Sequence, residues 1–417
     1  MQRLAIIGSG ITGLSAAQLL KHRYDITVFE KASRPGGLIK CERINDSLFH
    51  RVGGHVFNSR NQEVLDWFWG FFDRDKEFIK AKRNAKILLN GKFVGYPLEN
   101  HLSKLDKETV AQILKEQLDL YCQAGTKKPE DYPHFEAFLI GNFGPTLYNL
   151  YFKPYNTKIW NTDLSRVPLA WLEGKLPMPN VPQMLLANIA TQEESDMVHA
   201  TFYYAKENGS QFIVNRLSEG LNIQCDMPID SILFTGEQVY VNGHSFDKVI
   251  FTGDVRQLGT IITHESDELK RALMGIENLP SNGTSNVFCE TDPTDLSWLY
   301  LPDADIKAHR IIYTGTFAES NNRGSERQTC VVEFSGKHSV EDIEVEITKL
   351  PGNLRIMDYN YEPNSYVVQE PSTRQKIDDI KRLTEPYNFY LAGRFAEWEY
   401  HNMDKAIEAS MAIANRI

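Results

Sequence analysis

A glycine-rich turn joins a short apolar strand to a helix-forming stretch near the start of the chain. Leu4–Ile7 is continuously apolar, as is typical of a buried parallel strand. The turn Gly8–Gly13 reads Gly-Ser-Gly-Ile-Thr-Gly, and the residues that follow it favour a helix. A second strand, Asp25–Phe29, leads into Glu30, 20 residues after Gly10. This is the dinucleotide-binding fingerprint in its expected context, and it commits the chain to a parallel α/β unit.

The chemistry of dinucleotide binding explains each residue type in this turn. Gly8 permits the tight turn, Gly10 lets a pyrophosphate approach the backbone, and Gly13 lets helix and strand pack closely. The helix N-terminus offers unpaired N–H groups and the positive end of its dipole to the phosphates. Glu30 is placed to accept hydrogen bonds from ribose hydroxyls.

Three further stretches indicate which dinucleotide is bound. Ser33–Gly37, Ser-Arg-Pro-Gly-Gly, is either an ordinary turn or a second loop that allows close approach. The second interpretation resembles the extended motif of the FAD-binding superfamily, which includes amine oxidases and protoporphyrinogen oxidases. In that superfamily a final strand, a glycine and a helix return to the nucleotide fold, as Phe389–Ala392, Gly393 and the stretch from Asp404 predict here. Val249–Asp254 is similar to the superfamily's intermediate strand and turn.

The remaining residues divide into a helical part and a strand-rich part. Large apolar residues at helical spacing predominate up to about residue 185, with a hairpin predicted around Asn90-Gly91. Candidate strands follow from about residue 186. We therefore predict an α/β protein with a Rossmann-like FAD-binding domain, an inserted helical domain and an antiparallel-sheet substrate domain. The predicted boundaries are 1–58, 205–275 and 384–417 for the FAD-binding domain, 59–185 for the helical insertion, and 186–204 and 276–383 for the substrate domain.

Charge and cysteine usage narrow the partners and the location. Lys and Arg total 45 against 55 Asp and Glu, so the formal net charge of −10 disfavours nucleic-acid binding. The five cysteines are dispersed and include no Cys-x-x-Cys pair, which predicts reduced thiols, no metal site and a cytoplasmic protein. No apolar run approaches the length of a membrane span, so none is expected.

Several motifs go beyond the superfamily and resemble the UDP-galactopyranose mutases, nearer to the eukaryotic type than to the usual bacterial one. The resemblance runs through most of the chain in order, and its specific parts are the Pro-Tyr-Asn-x-Lys-x-Trp stretch and the spacing from Trp-Leu-Tyr to an arginine. The motifs are Gly53–Phe57, Arg83 before Tyr96–Asn100, Lys153–Trp160, Ala170–Lys175, Trp298–Tyr300 before Arg310, and Gly393–Tyr400.

The resemblance implies a non-redox use of a flavin. In that family reduced FAD is the active form, and its N5 attacks the anomeric carbon of a nucleotide sugar and displaces the nucleoside diphosphate. The resulting flavin N5–sugar adduct allows the sugar ring to open and reclose in the other size. The implied activity is that of an isomerase, an intramolecular transferase, that interconverts pyranose and furanose forms of a UDP-galactose-like substrate. NAD(P)H is a candidate reductant.

The resemblance also implies roles for particular residues. It gives catalytic roles to His55 beside flavin N5, to Arg83 packed on the flavin, and to Arg310 at the diphosphate. The implied substrate-binding residues are Trp160, Lys175, Tyr300, Arg310, Tyr366 and Tyr400. The implied cofactor-binding residues are Gly8, Gly10, Ile11, Thr12, Gly13, Glu30, Lys31, Gly36, Gly37, Leu38, Gly54, His55, Gly393, Arg394 and Met403.

The chain departs from the family's pattern at three places. Lys175 stands where the eukaryotic-type mutases have an arginine, and lysine lacks the bidentate fork that suits a diphosphate. Glu99 stands where a glutamine that contacts the nucleotide is expected. Residues 205–210 replace a more glycine-rich loop near the flavin pyrophosphate and add the charge of Glu207. These departures bear on substrate choice more than on flavin binding.

Two other interpretations stay open. An amine-oxidase-like or protoporphyrinogen-oxidase-like FAD oxidoreductase would share all the nucleotide motifs, but it predicts a largely apolar substrate cavity. A non-catalytic flavoprotein is the third interpretation, and the glycine-poor 205–210 loop motivates it.

Overall fold

The computed structural model describes residues 1–123, 131–169, 180–190, 201–236, 238–264 and 266–417. The helices are α1 Ile11–Leu20, α2 Gln62–Trp69, α3 Arg74–Glu77, α4 Lys107–Gln123, α5 Phe135–Leu147, α6 Lys153–Trp160, α7 Val181–Ala190, α8 Gly209–Ser218, α9 Leu258–Ile261, α10 Asp267–Ile276, α11 Val340–Ile347, α12 Thr373–Thr384 and α13 Met403–Arg416. The strands are β1 Arg3–Ile7, β2 Asp25–Phe29, β3 Cys41–Ile44, β4 Ser47–His50, β5 Phe78–Lys82, β6 Ala85–Leu89, β7 Lys92–Gly95, β8 Thr201–Ala205, β9 Ile223–Gln224, β10 Ile232–Thr235, β11 Gln238–Val241, β12 His244–Phe246, β13 Lys248–Phe251, β14 Ile262–Thr263, β15 Ser281–Thr291, β16 Trp298–Tyr300, β17 Ala308–Ile312, β18 Gln328–Ser335, β19 Arg355–Val367 and β20 Phe389–Leu391.

A five-stranded parallel sheet in the order β20-β13-β1-β2-β9 organises the nucleotide-binding part of the molecule. Its central strand β1 is fully buried from Leu4 to Ile6, as a strand covered on both faces must be. Helices α1 and α13 pack against each other, and the Ser410 hydroxyl in α13 donates to the carbonyl of Thr12 in α1 at 2.9 Å. Widely separated stretches of the chain therefore meet in one sheet, and the expected Rossmann-like unit is confirmed.

A second sheet of seven strands runs β19-β15-β18-β17-β16-β6-β7 and is antiparallel except where β6 meets β16. The pairing of Ala85 with Trp298 attaches the predicted hairpin β6–β7 to this sheet. One face of the sheet packs on α11, where Ile343 and Ile347 join the buried cluster around Val332 and Phe334. The predicted α/β class with a separate, largely antiparallel sheet is thereby confirmed.

The strand Thr201–Ala205 differs from its expected place. We expected it in the antiparallel substrate sheet, but β8 pairs instead with β5, with Phe78 opposite Ala205. The aromatic ring of Tyr203 in β8 lies edge-on to that of Trp69, at 5.0 Å between ring centroids. Burial of these side chains against α2 explains the pairing, and the domain boundaries given above remain a proposal.

Helices α4, α5 and α6 form the centre of the inserted part. Phe138, Phe143 and Phe152 lie in one buried cluster there, and Phe143 contacts Phe152 at 4.3 Å between ring centroids. The same cluster includes Tyr300 and Trp160, so the insertion packs directly against the seven-stranded sheet. Within the described residues, no helix combines the length and the apolar character that crossing a membrane requires.

Candidate functional site

A cavity of about 1060 Å³ lies at the carboxyl ends of the parallel strands. Gly8 after β1, Glu30 after β2 and Thr252 after β13 line one end of it. Tyr300 and Arg310, from the seven-stranded sheet, line the other end. Ligands of open α/β sheets bind outside the carboxyl ends of the strands, and this volume is at the upper end for a small-molecule site.

The first glycine turn has the geometry that a dinucleotide needs. Gly8 has a φ of +106°, which side chains rarely adopt, and a Cβ on Gly13 would lie 1.9 Å from the carbonyl oxygen of Gly8. A Cβ on Gly10 would have nothing closer than 3.9 Å, because that position opens on the cavity. No side chain caps α1, so the N–H groups near Ile11 and Thr12 are left at the cavity wall.

A second glycine pair, Gly36-Gly37, lies directly beside the first glycine turn at the cavity wall. Gly37 has a φ of +54°, and a Cβ there would lie 3.1 Å from the Cα of Gly10. Gly393, with a φ of +88°, leaves no room for a Cβ beside the Thr12 hydroxyl, 2.4 Å away. We call Gly8, Gly10, Gly36, Gly37 and Gly393 the glycine cradle. A side chain at Gly37 would collide with the backbone of Gly10, and one at Gly393 would collide with the Thr12 side chain.

Glu30 lies at the end of β2 and lines the cavity. Its Oε2 accepts a hydrogen bond from the backbone N–H of Ser9 at 3.0 Å, and its Oε1 accepts one from Ala32 at 2.9 Å. The Ser9 hydroxyl also donates to Oε2, at 2.5 Å, so the carboxylate is held in place and Oε1 retains acceptor capacity for a ribose. The other expected cofactor residues on the cavity wall are Lys31, Leu38, Gly54, His55, Arg394 and Met403.

Arg310 and Tyr300 are cross-strand neighbours, because β16 and β17 pair Tyr300 with Arg310 directly. The Arg310 guanidinium forms a hydrogen bond from Nε to the buried carboxylate of Glu333, and its Nη2 donates to the Tyr366 hydroxyl at 3.0 Å. Arg83 follows β5 and donates to the Tyr300 hydroxyl. Two arginines and two tyrosines thus form linked pairs at the sheet end of the cavity.

Aromatic rings hold the Arg83 guanidinium in position. Its carbon lies 4.9 Å from the ring centroid of Tyr96, 5.3 Å from that of Trp298 and 5.8 Å from that of Tyr300. Cation–π contacts of this kind orient a guanidinium without neutralising it. Arg83 therefore brings positive charge to the cavity wall.

Tyr400 connects the cavity wall to a layer of aromatic rings behind it. The Arg394 guanidinium carbon lies 4.2 Å from the Tyr400 ring centroid, and Tyr366 stacks on Tyr400 at 5.8 Å. Trp160 lies edge-on to both tyrosines, at 5.6 and 5.8 Å. Tyr400 and Arg394 line the cavity, whereas the buried Trp160 and Tyr366 contact it through these neighbours.

His55 contributes an orphaned polar atom at the cavity. Its Nε2 is buried, with no hydrogen-bond partner among the described residues. Burial lowers the pKa of His55 to about 3, and the neighbouring His50 and Arg394 contribute to the same shift. The imidazole is therefore neutral at physiological pH, and its Nε2 can form a hydrogen bond with a ligand in the cavity.

The departures from the family fall in different places. Lys175 lies outside the described residues. Glu99 is buried in a short 3₁₀ turn that follows the cavity residue Tyr96, and burial raises its pKa to about 7. Glu207 does not line the cavity: its carboxylate pairs with Arg323 at 2.8 and 2.5 Å. The negative charge of Glu207, which we expected to disfavour a pyrophosphate, is thus paired with Arg323 outside the cavity.

Sequence reasoning missed the role of Lys158, within the Pro-Tyr-Asn-x-Lys-x-Trp stretch. Its Nζ donates to the backbone carbonyls of Leu301, Asp303 and Ile306 at 2.6, 2.8 and 2.7 Å. These carbonyls belong to the connection between β16 and β17, which joins Tyr300 to Arg310. The lysine therefore holds α6 of the insertion against the loop that connects Tyr300 to Arg310.

Replacing Lys158 by methionine should lower the free energy of unfolding by about 4.5 kcal/mol or more, because hydrogen bonds to a charged donor contribute about 1.5–3 kcal/mol each and at least three carbonyls lose theirs. Urea denaturation of the variant measures this loss. Lys153→Met is the matched control, since Lys153 begins the same helix and only faces the Tyr148 ring at 5.9 Å. An equal loss in both variants would contradict the assigned role.

Comparisons with known proteins find one domain model and three curated relatives that are similar to parts or all of this chain. Residues 6–73 match the family model of an NAD(P)-binding Rossmann-like domain. The UDP-galactopyranose mutase of Mycoplasma genitalium is 21% identical over 99% of this chain and 94% of that protein. The mutase of Mycoplasma pneumoniae is 32% identical, but over 39% of this chain. A coproporphyrinogen III oxidase of Staphylococcus aureus is 54% identical over 23% of each chain.

Solved structures extend the agreement to the whole fold. A structure of reduced UDP-galactopyranose mutase superimposes with a TM-score of 0.87 at 18% identity, covering 100% of this chain and 93% of that one. A putative protoporphyrinogen oxidase from Exiguobacterium superimposes with a TM-score of 0.73 at 14% identity, covering 100% and 98%. The resemblance of this chain to the UDP-galactopyranose mutases is therefore confirmed along its whole length, in sequence and in fold.

Proposed function

We propose that this chain is a flavin-dependent mutase that interconverts pyranose and furanose forms of a nucleotide sugar. The observation that carries the proposal is a cavity shared by two sets of residues. Arg83, Tyr300, Arg310 and Tyr400 line the same cavity as four residues of the glycine cradle, Gly8, Gly10, Gly36 and Gly37. A dinucleotide site and a cationic, phenolic site thus share one space. A flavin that attacks the sugar of a nucleotide sugar must lie beside the residues that hold the diphosphate, so one cavity has to contain both sites.

FAD fits the first part of this space. The glycine cradle and the N-termini of α1 and α13 are suited to its pyrophosphate, and Glu30 to a ribose. The unpaired Nε2 of His55 is suited to a polar atom of the isoalloxazine. Bound in its reduced form, FAD would supply the nucleophile for the anomeric carbon, which no side chain among the described residues of the cavity wall is arranged to supply.

The side chains at the sheet end would hold the leaving diphosphate. Arg310 donates to negative charge that grows as the anomeric bond breaks, and the hydroxyls of Tyr300 and Tyr400 can donate to the same oxygens. Arg83 holds the Tyr300 hydroxyl toward that position. The ring of Trp160, behind Tyr400, would support the sugar site. Lys175 belongs to the same proposal, as a cation for the diphosphate.

The proposal includes a nucleotide-sugar substrate of the UDP-galactose type and NAD(P)H as the reductant. It also includes a cytoplasmic location, where nucleotide sugars and reduced thiols coexist. Glu99 belongs to the same proposal, because it follows the cavity residue Tyr96 by three positions and stands where the family has a glutamine that contacts the nucleotide. An acid in place of that glutamine would alter substrate choice.

An assay of ring size tests the proposed function. Dithionite-reduced, FAD-loaded protein is incubated with UDP-galactofuranose and related nucleotide sugars, and the products are separated by chromatography. We expect the pyranose form from at least one sugar with reduced protein and none with oxidised protein. Absence of any ring-size product from a fully flavinated, reduced sample would exclude the mutase.

An FAD oxidoreductase is the second candidate, favoured by the match to the coproporphyrinogen III oxidase and by the protoporphyrinogen-oxidase-like fold. Such an enzyme would take a hydride from its substrate onto the flavin. The cationic groups Arg83, Arg310 and Arg394 on the cavity wall argue against an apolar substrate. Flavin bleaching by coproporphyrinogen or an amine under anaerobic conditions, without dithionite, would favour this candidate.

A further inference from the structure

We propose that Glu333 is a positioning residue that fixes the Arg310 guanidinium relative to the turn carrying His55. The inference rests on the proposed function and extends it, because Glu333 does not itself line the cavity. It would set the distance between the group that holds the diphosphate and the group that faces the flavin.

The two carboxylate oxygens of Glu333 bind different partners, Arg310 on the proposed diphosphate side and Gly53 on the proposed flavin side. Oε2 accepts the hydrogen bond from Arg310 Nε, and Oε1 accepts one from the backbone N–H of Gly53 at 3.0 Å. Gly53 has a φ of +63° and starts the turn Gly53–His55. The Glu333 side chain is 1% exposed, so water does not compete for these bonds.

An irregularity in the strand pairing explains why Arg310 reaches Glu333. The partners along β17 and β18 are Ala308 with Phe334 and then Arg310 with Glu333, so His309 is an extra residue on β17. Such a bulge shifts the alternation of side chains between the two faces of a sheet. Accordingly Ala308 packs in the cluster on the α11 face, whereas Arg310, two residues later, lines the cavity.

The charges are consistent with a fixed carboxylate. Burial favours the protonated acid, but the neighbouring Arg310 and His309 outweigh it and hold the pKa of Glu333 well below its usual range. His309 Nε2 lies 3.4 Å from Oε2, and burial lowers the pKa of His309. Glu333 is therefore ionised at neutral pH and accepts hydrogen bonds from Arg310 Nε and from the Gly53 N–H at once.

A neutral amide cannot make the same contacts. In Glu333→Gln one carboxylate oxygen becomes an NH₂ group, which would face the N–H of either Gly53 or Arg310. Either the hydrogen bond from Gly53 or the one from Arg310 is then lost. Release of Arg310 weakens the hold on a diphosphate, and release of Gly53 moves the turn beside the flavin.

The test uses FAD-loaded protein with UDP as the probe and measures both consequences. Calorimetric titration gives the Kd of UDP, and the visible absorbance of the flavin without nucleotide reports on the turn. We expect Glu333→Gln to raise the Kd of UDP at least tenfold or to shift the flavin absorbance, together with a rise in KM larger than the fall in kcat. Glu290→Gln is the matched control, because Glu290 is equally buried in the neighbouring β15 and pairs with Arg355 outside the cavity.

Each outcome decides the inference. Unchanged UDP affinity and flavin absorbance in a folded Glu333→Gln variant would overturn it, and so would equal changes in Glu290→Gln. If the parent protein does not bind UDP, the UDP-galactose-type substrate of the proposed function is excluded, and the flavin absorbance alone then decides whether Glu333 holds the Gly53 turn. If Glu333→Gln does not fold, Glu333→Asp replaces it: this variant keeps the charge but withdraws it by one methylene, and affinity equal to that of the parent overturns the inference.

Discussion

Replacing Arg310 by lysine should lower kcat/KM for the nucleotide sugar by about 100-fold or more, the scale expected when a preorganised donor to developing negative charge is removed. The guanidinium uses Nε to bind Glu333 and Nη2 to bind Tyr366, which leaves it rigidly oriented at the cavity wall. A lysine ammonium is a single point donor and cannot bind both partners and a diphosphate in the same geometry. Steady-state kinetics of the reduced protein measure the loss.

A second arginine provides the control for Arg310→Lys. Arg355 also pairs with a buried carboxylate, that of Glu290, but its own side chain is 61% exposed and does not line the cavity. Arg355→Lys should therefore change kcat/KM by less than a factor of about two, since surface ion pairs contribute about 0–1 kcal/mol. Kinetics of Arg310→Lys within that same range would show that the guanidinium does not act on the substrate.

Replacing Gly13 by alanine should abolish stable binding of the flavin. The added Cβ would lie 1.9 Å from the carbonyl oxygen of Gly8, and backbone cannot move away as a flexible side chain can. The helix must separate from β1, at a cost of about 3 kcal/mol, the upper range for overpacking. That shift corresponds to a loss in cofactor affinity of about 100-fold. The ratio of flavin to protein after purification with added FAD measures it.

Gly275 offers the matched substitution for this test. It lies within α10, and a Cβ there would meet nothing within 4 Å. Gly275→Ala should keep the full flavin content and raise the stability slightly, because alanine favours a helix over glycine by about 1 kcal/mol. Full flavin content in Gly13→Ala would contradict the assigned role of the turn.

The nucleotide half of the site was predictable from the sequence because its determinants are local. Gly8, Gly10, Gly13 and Glu30 follow strands at fixed offsets, so the strand–turn–helix pattern specifies both the backbone and its ligand. The second glycine loop and the C-terminal Gly393 required the resemblance to a superfamily. The structure then places all of these around one cavity or directly behind its wall.

The supporting contacts of the substrate half could not be predicted, because they depend on long-range register. The extra residue at His309 in β17 turns Arg310 to the cavity, and no local pattern marks it. Glu333 carries a weak signal, as the one charged residue within the otherwise apolar run Cys330–Phe334. The contacts of Lys158 with the β16–β17 loop join residues that are 143 to 150 positions apart in the sequence. Such pairings are fixed by packing of the whole fold.

The mass of the cofactor after reductive trapping tests the central claim most directly, that the flavin and a nucleotide sugar react with each other in one cavity. Reduced, FAD-loaded protein is treated with cyanoborohydride in the presence of the nucleotide sugar, and the released flavin is analysed by mass spectrometry. We expect a flavin that carries one additional sugar unit, and none from Arg310→Lys under the same conditions. Flavin of unchanged mass from protein that nevertheless converts the sugar, or a sugar-bearing flavin in equal yield from Arg310→Lys, would contradict the account.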